Sequence, residues 1–487
     1  MYKQTLTCFL ALLLSAVVCA QEIRLQKGNV TDNVRINDST NATYAVYLPK
    51  SYNVEKPAPV IFLLAQDGKG REAVQLFRQT AEDQYYVIAA SNQKMENDSI
   101  QEDILQTVKF MNGFYRTIKV DPNLLYIAGI NKGAEIASAL PLINENISGV
   151  LAMNKTWING KFIENRKKPY VFSAISGTRD FSRFGLLEVA EFLEGEDFPT
   201  EVNYFEGGPE SWPDTYTINN AVAKFTLEAM KNGGREKNDT IINTIFKNEI
   251  KAIDNLISNG AYYTAFLQLK KAEEKFDDFN RFDDQLKNLK KRIRKDRTFK
   301  QQRRKWFDVK EEEAFQKEDY AHFLEMDILT NNFDNIGWWA EQMENLKAGQ
   351  QQKNTIERNM AYRLENYLND LVSATYNNVI VSESFIDTKI FISILKTIVD
   401  KQNPEGYLSI IQLAGHDGDA GTAMLYLEDL LKTGYKDFDR LYTIEGILDL
   451  QMSTEFNLLI EEYDGEAKYI IFDSEKDTEK NEATRSN

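Results

Sequence analysis

Leu124-Leu125-Tyr126-Ile127-Ala128-Gly129-Ile130-Asn131-Lys132-Gly133-Ala134 reads as a buried strand, a tight turn and the opening of a helix. Leu124–Ala128 is a short apolar run of strand length, and the stretch from Ala134 to Leu142 carries helical periodicity. Gly129 and Gly133 bracket the turn, where backbone segments must approach closely. This is the setting of a nucleophile elbow, Gly-x-Ser-x-Gly, in which a strained central residue is presented at the end of a strand. The central residue here is Asn131. Asparagine tolerates a left-handed backbone better than most residues, so the turn is expected to survive. Its amide cannot become an alkoxide, so the nucleophile is missing.

Working outward, further apolar runs stand at Tyr44–Leu48, Pro59–Ala65, Tyr85–Ala90, Gly149–Met153, Tyr170–Ile175 and Val202–Phe205. Amphipathic stretches separate them at Glu72–Glu82, Gln101–Tyr115, Leu186–Leu193 and Thr217–Met230. Strand and helix in alternation predict an α/β fold, a mostly parallel sheet covered by helices on both faces. Functional loops in such a sheet sit at the carboxyl ends of the strands.

Those ends carry the remaining motifs. Segment 44–232 resembles the α/β-hydrolase family, and within it secreted esterases of the polyhydroxybutyrate-depolymerase and feruloyl-esterase kind. Tyr47-Leu48-Pro49-Lys50-Ser51-Tyr52 with Pro59–Leu64 is similar to the family's entry strands. Ile175-Ser176-Gly177-Thr178-Arg179-Asp180 resembles its acid loop, which implies Asp180 at the triad carboxylate position. Phe205-Glu206-Gly207-Gly208-Pro209 resembles its histidine loop, with Pro209 where the base would stand. The His-Gly pair that helps to build the oxyanion hole is replaced by Ala65-Gln66-Asp67-Gly68.

One count needs no alignment. The chain has 2 histidines, His322 and His416, so residues 1–240 hold none. A Ser-His-Asp site needs an imidazole to take a proton near neutrality. Asp180 is left without that partner in its own half of the chain. Lys132 is a substitute base only if desolvated, with Ser138 two turns on; the expectation is an exposed side chain at the helix start.

Composition changes at Gly233-Gly234, and the remainder is charged, amphipathic and poor in proline. Gly260, Tyr262, Ala265 and Ala272, and again Gly418, Ala420, Ala423, Leu427 and Leu430, resemble tetratricopeptide hairpins; an irregular helical bundle is the alternative. The expected organisation is a signal peptide over 1–20, an α/β-hydrolase-like domain over 21–235, a helical tetratricopeptide-like domain over 236–472 and a disordered tail over 473–487. Basic residues between Lys287 and Lys305 read as a solvated helix paired with acidic neighbours, and Trp306, Trp338 and Trp339 as core.

The N-terminus pairs Lys3 with the apolar run Leu6–Val18 and offers Val18-Cys19-Ala20 for cleavage, so export to the periplasm or beyond is expected. Lipid anchoring through Cys19 is the alternative. Cys8 and Cys19 are the only cysteines and both lie in that signal, which leaves no thiolate or disulfide afterwards. No metal loop is present, Asp417-Gly418-Asp419 being a turn, and no motif calls for a cofactor. No later run is apolar enough to span a bilayer. The formal charge of −16 argues against nucleic acid.

The expectation is a non-catalytic exported protein. Its helices would bind a protein partner, and a residual pocket of Gln66, Asn131, Lys132, Asp180 and Trp212 would hold a glycan or ester. A serine-hydrolase-type esterase with an atypical site and a carbohydrate- or polymer-binding module are the alternatives.

Overall fold

The computed structural model describes residues 25–469 other than 38–40, 96–98, 165, 167 and 210. The expected signal peptide over 1–20, with both cysteines, and the expected tail over 473–487 lie outside the described residues. The chain forms two compact units: one holds residues up to 178 together with 182–293, the other 179–181 together with 294 onward.

The first unit is built on an eight-stranded sheet. Its strands are β1 (Val30–Arg35), β2 (Thr43–Tyr47), β3 (Ala58–Leu64), β4 (Val87–Ser91), β5 (Val120–Ile130), β6 (Ile147–Met153), β7 (Val171–Gly177) and β8 (Thr200–Phe205). They lie in the order β1-β2-β4-β3-β5-β6-β7-β8. β1 and β2 are antiparallel to their neighbours and every pairing from β4 to β8 is parallel. The mostly parallel sheet expected from the alternation of elements is therefore present.

β1 was not visible in the sequence pattern. It is an edge strand, irregular between Thr31 and Val34, and Val34 is its only buried residue. A half-exposed edge does not select for a continuous apolar run.

The period-2 geometry of β3 distributes its side chains between two cores. Val60, Phe62 and Leu64 pack with Phe110 and Phe114 of α2 (Ile100–Tyr115), Ala134 and Ile136 of α3 (Lys132–Ala139), and Leu186 of α5 (Arg183–Gly195). Ile61 and Leu63 face the other way, toward Val74 and Phe77 of α1 (Gly70–Gln84) and Ile218 and Phe225 of α6 (Thr215–Lys231). Both faces are covered, which is why the central strands read as unbroken apolar runs. A short helix, α4 (Gly160–Glu164), completes the connections.

The first unit continues past Gly233-Gly234 through α7 (Asp239–Ser258), α8 (Tyr262–Lys275) and most of α9 (Asp283–Lys295). The reason is electrostatic as well as apolar. Lys275 of α8 lies 2.5 Å from Glu201 of β8 and 2.6 Å from Glu249 of α7, all three being almost wholly buried. Gln268 Nε2 donates to Asn203 Oδ1 and Glu249 Oε1 in the same cluster. The α7–α8 hairpin turns at Gly260, whose φ of +76° suits a residue without a Cβ.

The second unit is helical: α10 (Arg297–Thr330), α11 (Ile336–Gly349), α12 (Thr355–Val381), α13 (Ile386–Val399), α14 (Pro404–His416), α15 (Ala420–Lys432), α16 (Phe438–Tyr442), α17 (Leu448–Gln451) and α18 (Thr454–Glu462). α10 to α13 share a core around Trp339, Leu364, Leu368 and Phe391. α14 to α18 share another around Ile411, Ala423, Leu427 and Phe456. The second hairpin motif forms α14 and α15, with Gly418 at φ +84° and Asp419 capping α15 through Thr422 N–H at 3.0 Å. The basic stretch is helical and paired as expected, Lys290 to Glu273, Arg292 to Asp254 and Lys305 to Glu357. Trp306 and Trp339 are buried; Trp338 is half-buried and lines a groove instead of joining the core outright.

Candidate active site

The elbow is present in full. Asn131 sits between β5 and α3 at φ 52°, ψ −121°. Its N–H donates to the Met153 carbonyl of β6 at 3.0 Å, and its own carbonyl accepts from Ala134 N–H at 2.9 Å and Glu135 N–H at 3.2 Å. This corrects the expected conformation in one respect. The left-handed basin that asparagine tolerates has ψ near +47°, and Asn131 is far from it. The residue is held in a sparsely populated region at a cost of about 1–3 kcal/mol, which the surrounding packing must offset.

The flanking glycines explain how that conformation is enforced. A Cβ on Gly129 would lie 2.1 Å from the Gly133 carbonyl oxygen, and a Cβ on Gly133 would lie 2.1 Å from the Leu64 carbonyl oxygen. Strand, turn and helix are therefore in backbone contact, and no other residue fits at either position. The Asn131 side chain is half-buried, with no hydrogen-bond partner among the described residues. It presents one amide donor pair and one acceptor and has no ionisable proton near neutrality.

Lys132 departs from the expected exposed side chain. Its Nζ is 3.2 Å from Oδ2 of Asp103, in the first turn of α2, and that carboxylate is fully buried. The ammonium is committed to compensating a buried charge, which removes it as a general base. Ser138 is also engaged: it is buried and donates to the Ala134 carbonyl at 2.7 Å.

At the other strand ends the backbone is held by local turns and loop contacts. After β3, Gly68 takes φ +70° and its N–H donates to the Ala65 carbonyl at 3.1 Å, closing a tight turn; Gln66 is exposed, and its carbonyl accepts from Met95 N–H at 3.0 Å. After β8, Pro209 uses its carbonyl to accept from Asn154 Nδ2 at 2.9 Å. Asn154 follows β6, is buried and has φ 68°. It is a site-building residue that the sequence reading missed, because a single asparagine after a strand carries no pattern. Asp180 is buried and stands three residues beyond β7, in the tripeptide grouped with the second unit.

Trp212 lines a separate recess of about 320 Å³ with Glu206, Asp214, Asn255 and Asn259; Gln66, Asn131, Lys132 and Asp180 are not among its lining residues. Glu206 Oε1 is buried there without a hydrogen-bond partner among the described residues. His322 and His416 are exposed on helices of the second unit. No group of three or more His, Cys, Asp or Glu side chains among the described residues is placed to hold a metal ion. No helix among them is long and apolar enough to cross a membrane.

No protein-family model matches the chain, and neither does any curated protein. Solved structures similar to it include esterases, a further hydrolase and peptidases. A ferulic acid esterase is 16% identical over 40% of this chain and 94% of its own, with a TM-score of 0.31. The S-formylglutathione hydrolase of Staphylococcus aureus is 11% identical over 41% of this chain and 98% of its own, at 0.33. Esterase 2 of Thermogutta terrifontis is 13% identical over 44% of this chain and 98% of its own, at 0.34.

Proposed function

We propose that this protein is an exported, non-catalytic relative of α/β-hydrolase esterases that acts by binding, through its tetratricopeptide-like helices and what is left of the pocket. The observation that carries the reading is Asn131, held in the strained elbow conformation by two obligatory glycines while offering no nucleophile. An elbow kept without its serine supports retention of the scaffold apart from acyl transfer. The neighbouring groups agree: Lys132 is spent on Asp103 and the base position is a proline.

The test is hydrolysis of p-nitrophenyl and feruloyl esters by the full chain, with fluorophosphonate labelling in parallel. The expected result is neither turnover nor label. Turnover abolished by Asn131→Ala or Asp180→Ala overturns the proposal and leaves an esterase with an unfamiliar site.

A second reading, a glycan- or polymer-binding protein, is supported by the Trp212 recess. An indole beside a buried carboxylate oxygen lacking a donor, with two amides nearby, suits a hydroxyl-rich ligand. Retention on a glycan array, lost with Trp212→Ala, distinguishes it from protein binding alone.

A further inference from the structure

The helical unit contains a groove of about 510 Å³ whose floor is α12 and whose walls are α10 and α11. Its wall residues on α10 fall at helical spacing, from Glu312 through Asp319 and Tyr320 to Phe323, so one continuous face of that helix lines it. The opposite wall converges on the floor where Gly349 meets Ala361: a Cβ on Gly349 would lie 2.9 Å from the Ala361 Cβ. The space therefore narrows toward the end of α11.

The chemistry of the lining is one-sided. It holds the carboxylates of Glu312, Asp319 and Glu357, and among its lining residues there is no lysine, arginine or histidine. Glu357 is neutralised by Lys305 at 3.0 Å, and Glu312 accepts from Gln316 Nε2 at 3.3 Å. Asp319 is exposed and has no ion-pair partner among the described residues. Beside it, Phe323 and Trp338 form a corner, ring centroids 5.2 Å apart and planes inclined by 66°, with Tyr320 6.2 Å from Trp338. Burial, with the charge of Asp319 adding to it, pushes the Tyr320 phenol up to about 12, so the ring itself stays uncharged.

Trp338 is backed by a buried neighbour. Trp339 is buried, donates from Nε1 to Asp327 Oδ2 at 2.8 Å and packs edge-on against Trp338 at 4.8 Å, which fixes Trp338 toward the groove. Aromatic faces beside an unpaired carboxylate attract a cation with an apolar stem, and preorganisation lowers the entropic cost of holding it. Beyond Glu357 an adjoining recess is lined by Arg304, Lys305 and Lys353, which repels a cation and confines it to the Asp319 end.

We propose that this groove binds an arginine or lysine side chain presented by a basic segment of a partner protein. The proposal rests on the reading of the helical half as a binding surface and names the partner's chemistry. The groove takes the guanidinium or ammonium between Asp319 and the Phe323–Trp338 corner, while the partner's main chain runs over Gln316 and Gln342.

The test is calorimetric titration of the full chain with an N-acetylated, C-amidated hexapeptide alternating arginine and alanine, against its glutamate counterpart and free arginine methyl ester. The arginine peptide should bind, weaken with added salt, and lose about tenfold in affinity in Asp319→Asn and in Trp338→Leu. The surface control Glu428→Gln on α15 should bind as the parent does. Asp319→Asn is isosteric and exposed, so it stays informative if Trp338→Leu unfolds. The proposal is overturned if the arginine peptide gives no binding, if the glutamate peptide binds equally, or if Asp319→Asn has no effect. Equal affinity for free arginine methyl ester overturns the partner segment in favour of a small-cation site. Ester turnover, which would overturn the non-catalytic reading, leaves the two peptide arms of this titration unaffected, since they contain no ester.

Discussion

Lys132 Nζ lies 3.2 Å from Oδ2 of Asp103, a carboxylate with no exposed surface, so the residue next to the elbow ties α3 to α2. Removing the cation takes the ion-pair partner from a buried carboxylate. Lys132→Met is expected to cost on the order of 3 kcal/mol in denaturant unfolding, and Lys132→Met with Asp103→Leu clearly less. Losses in Lys132→Met and in Asp103→Leu that simply add in the double variant would show that the pair is not coupled.

Placing a serine at the elbow should not create ester hydrolysis. In Asn131→Ser the hydroxyl would occupy the elbow, but residues 1–240 hold no imidazole and Lys132 is engaged. The expected outcome is p-nitrophenyl ester hydrolysis at the level of the parent chain. A large gain in rate would mean that a base exists that these residues do not reveal.

Strain at the elbow predicts opposite effects at neighbouring positions. Asn131→Gly relieves a backbone at φ 52°, ψ −121° and should stabilise by about 1 kcal/mol after the entropy of the unfolded glycine is counted. Gly133→Ala drives a Cβ to 2.1 Å from the Leu64 carbonyl oxygen and should cost more than about 3 kcal/mol or prevent folding. Thermal unfolding of the two variants checks both signs.

The buried Glu201–Lys275–Glu249 cluster predicts how stability varies with pH. Desolvation raises Glu201 above its ordinary value of 4.5, and the two carboxylates raise Lys275 above 10.5 despite burial. In both cases the folded state holds its proton more tightly than the unfolded chain does. Each contribution is complete below the unfolded value and is lost as pH rises through the folded one. Unfolding free energy should therefore fall from about pH 4.5 upward until Glu201 has ionised, and fall again above about pH 10.5. Glu201→Gln should remove the first decline and leave the second, as read from denaturant midpoints across the pH range.

The central strands and the elbow were legible because they follow from local rules. Double-sided burial demands unbroken apolar runs such as Ala58–Leu64, and close backbone approach demands Gly129 and Gly133. That Asn131 stands at the turn and that residues 1–240 hold no histidine is likewise a matter of residue identity. β1 was not legible, since an edge strand with one buried residue has no period to read. Asn154 was not legible either, because its role is a contact with Pro209, 55 positions away.

The sequence by itself determined that an α/β sheet carries an elbow without a nucleophile and that no histidine lies in that half of the chain. Tertiary structure alone decided what the remaining polar groups do. It paired Lys132 with Asp103, set Asn131 outside the left-handed basin, placed Trp212 in a recess apart from the elbow and turned Trp338 toward a groove while burying Trp339. The physical reason is range. Burial leaves a period that is read over a few residues, and a tight turn leaves glycines at fixed spacing, whereas a charge, an amide or an indole acquires its role from whichever distant segment the fold brings against it.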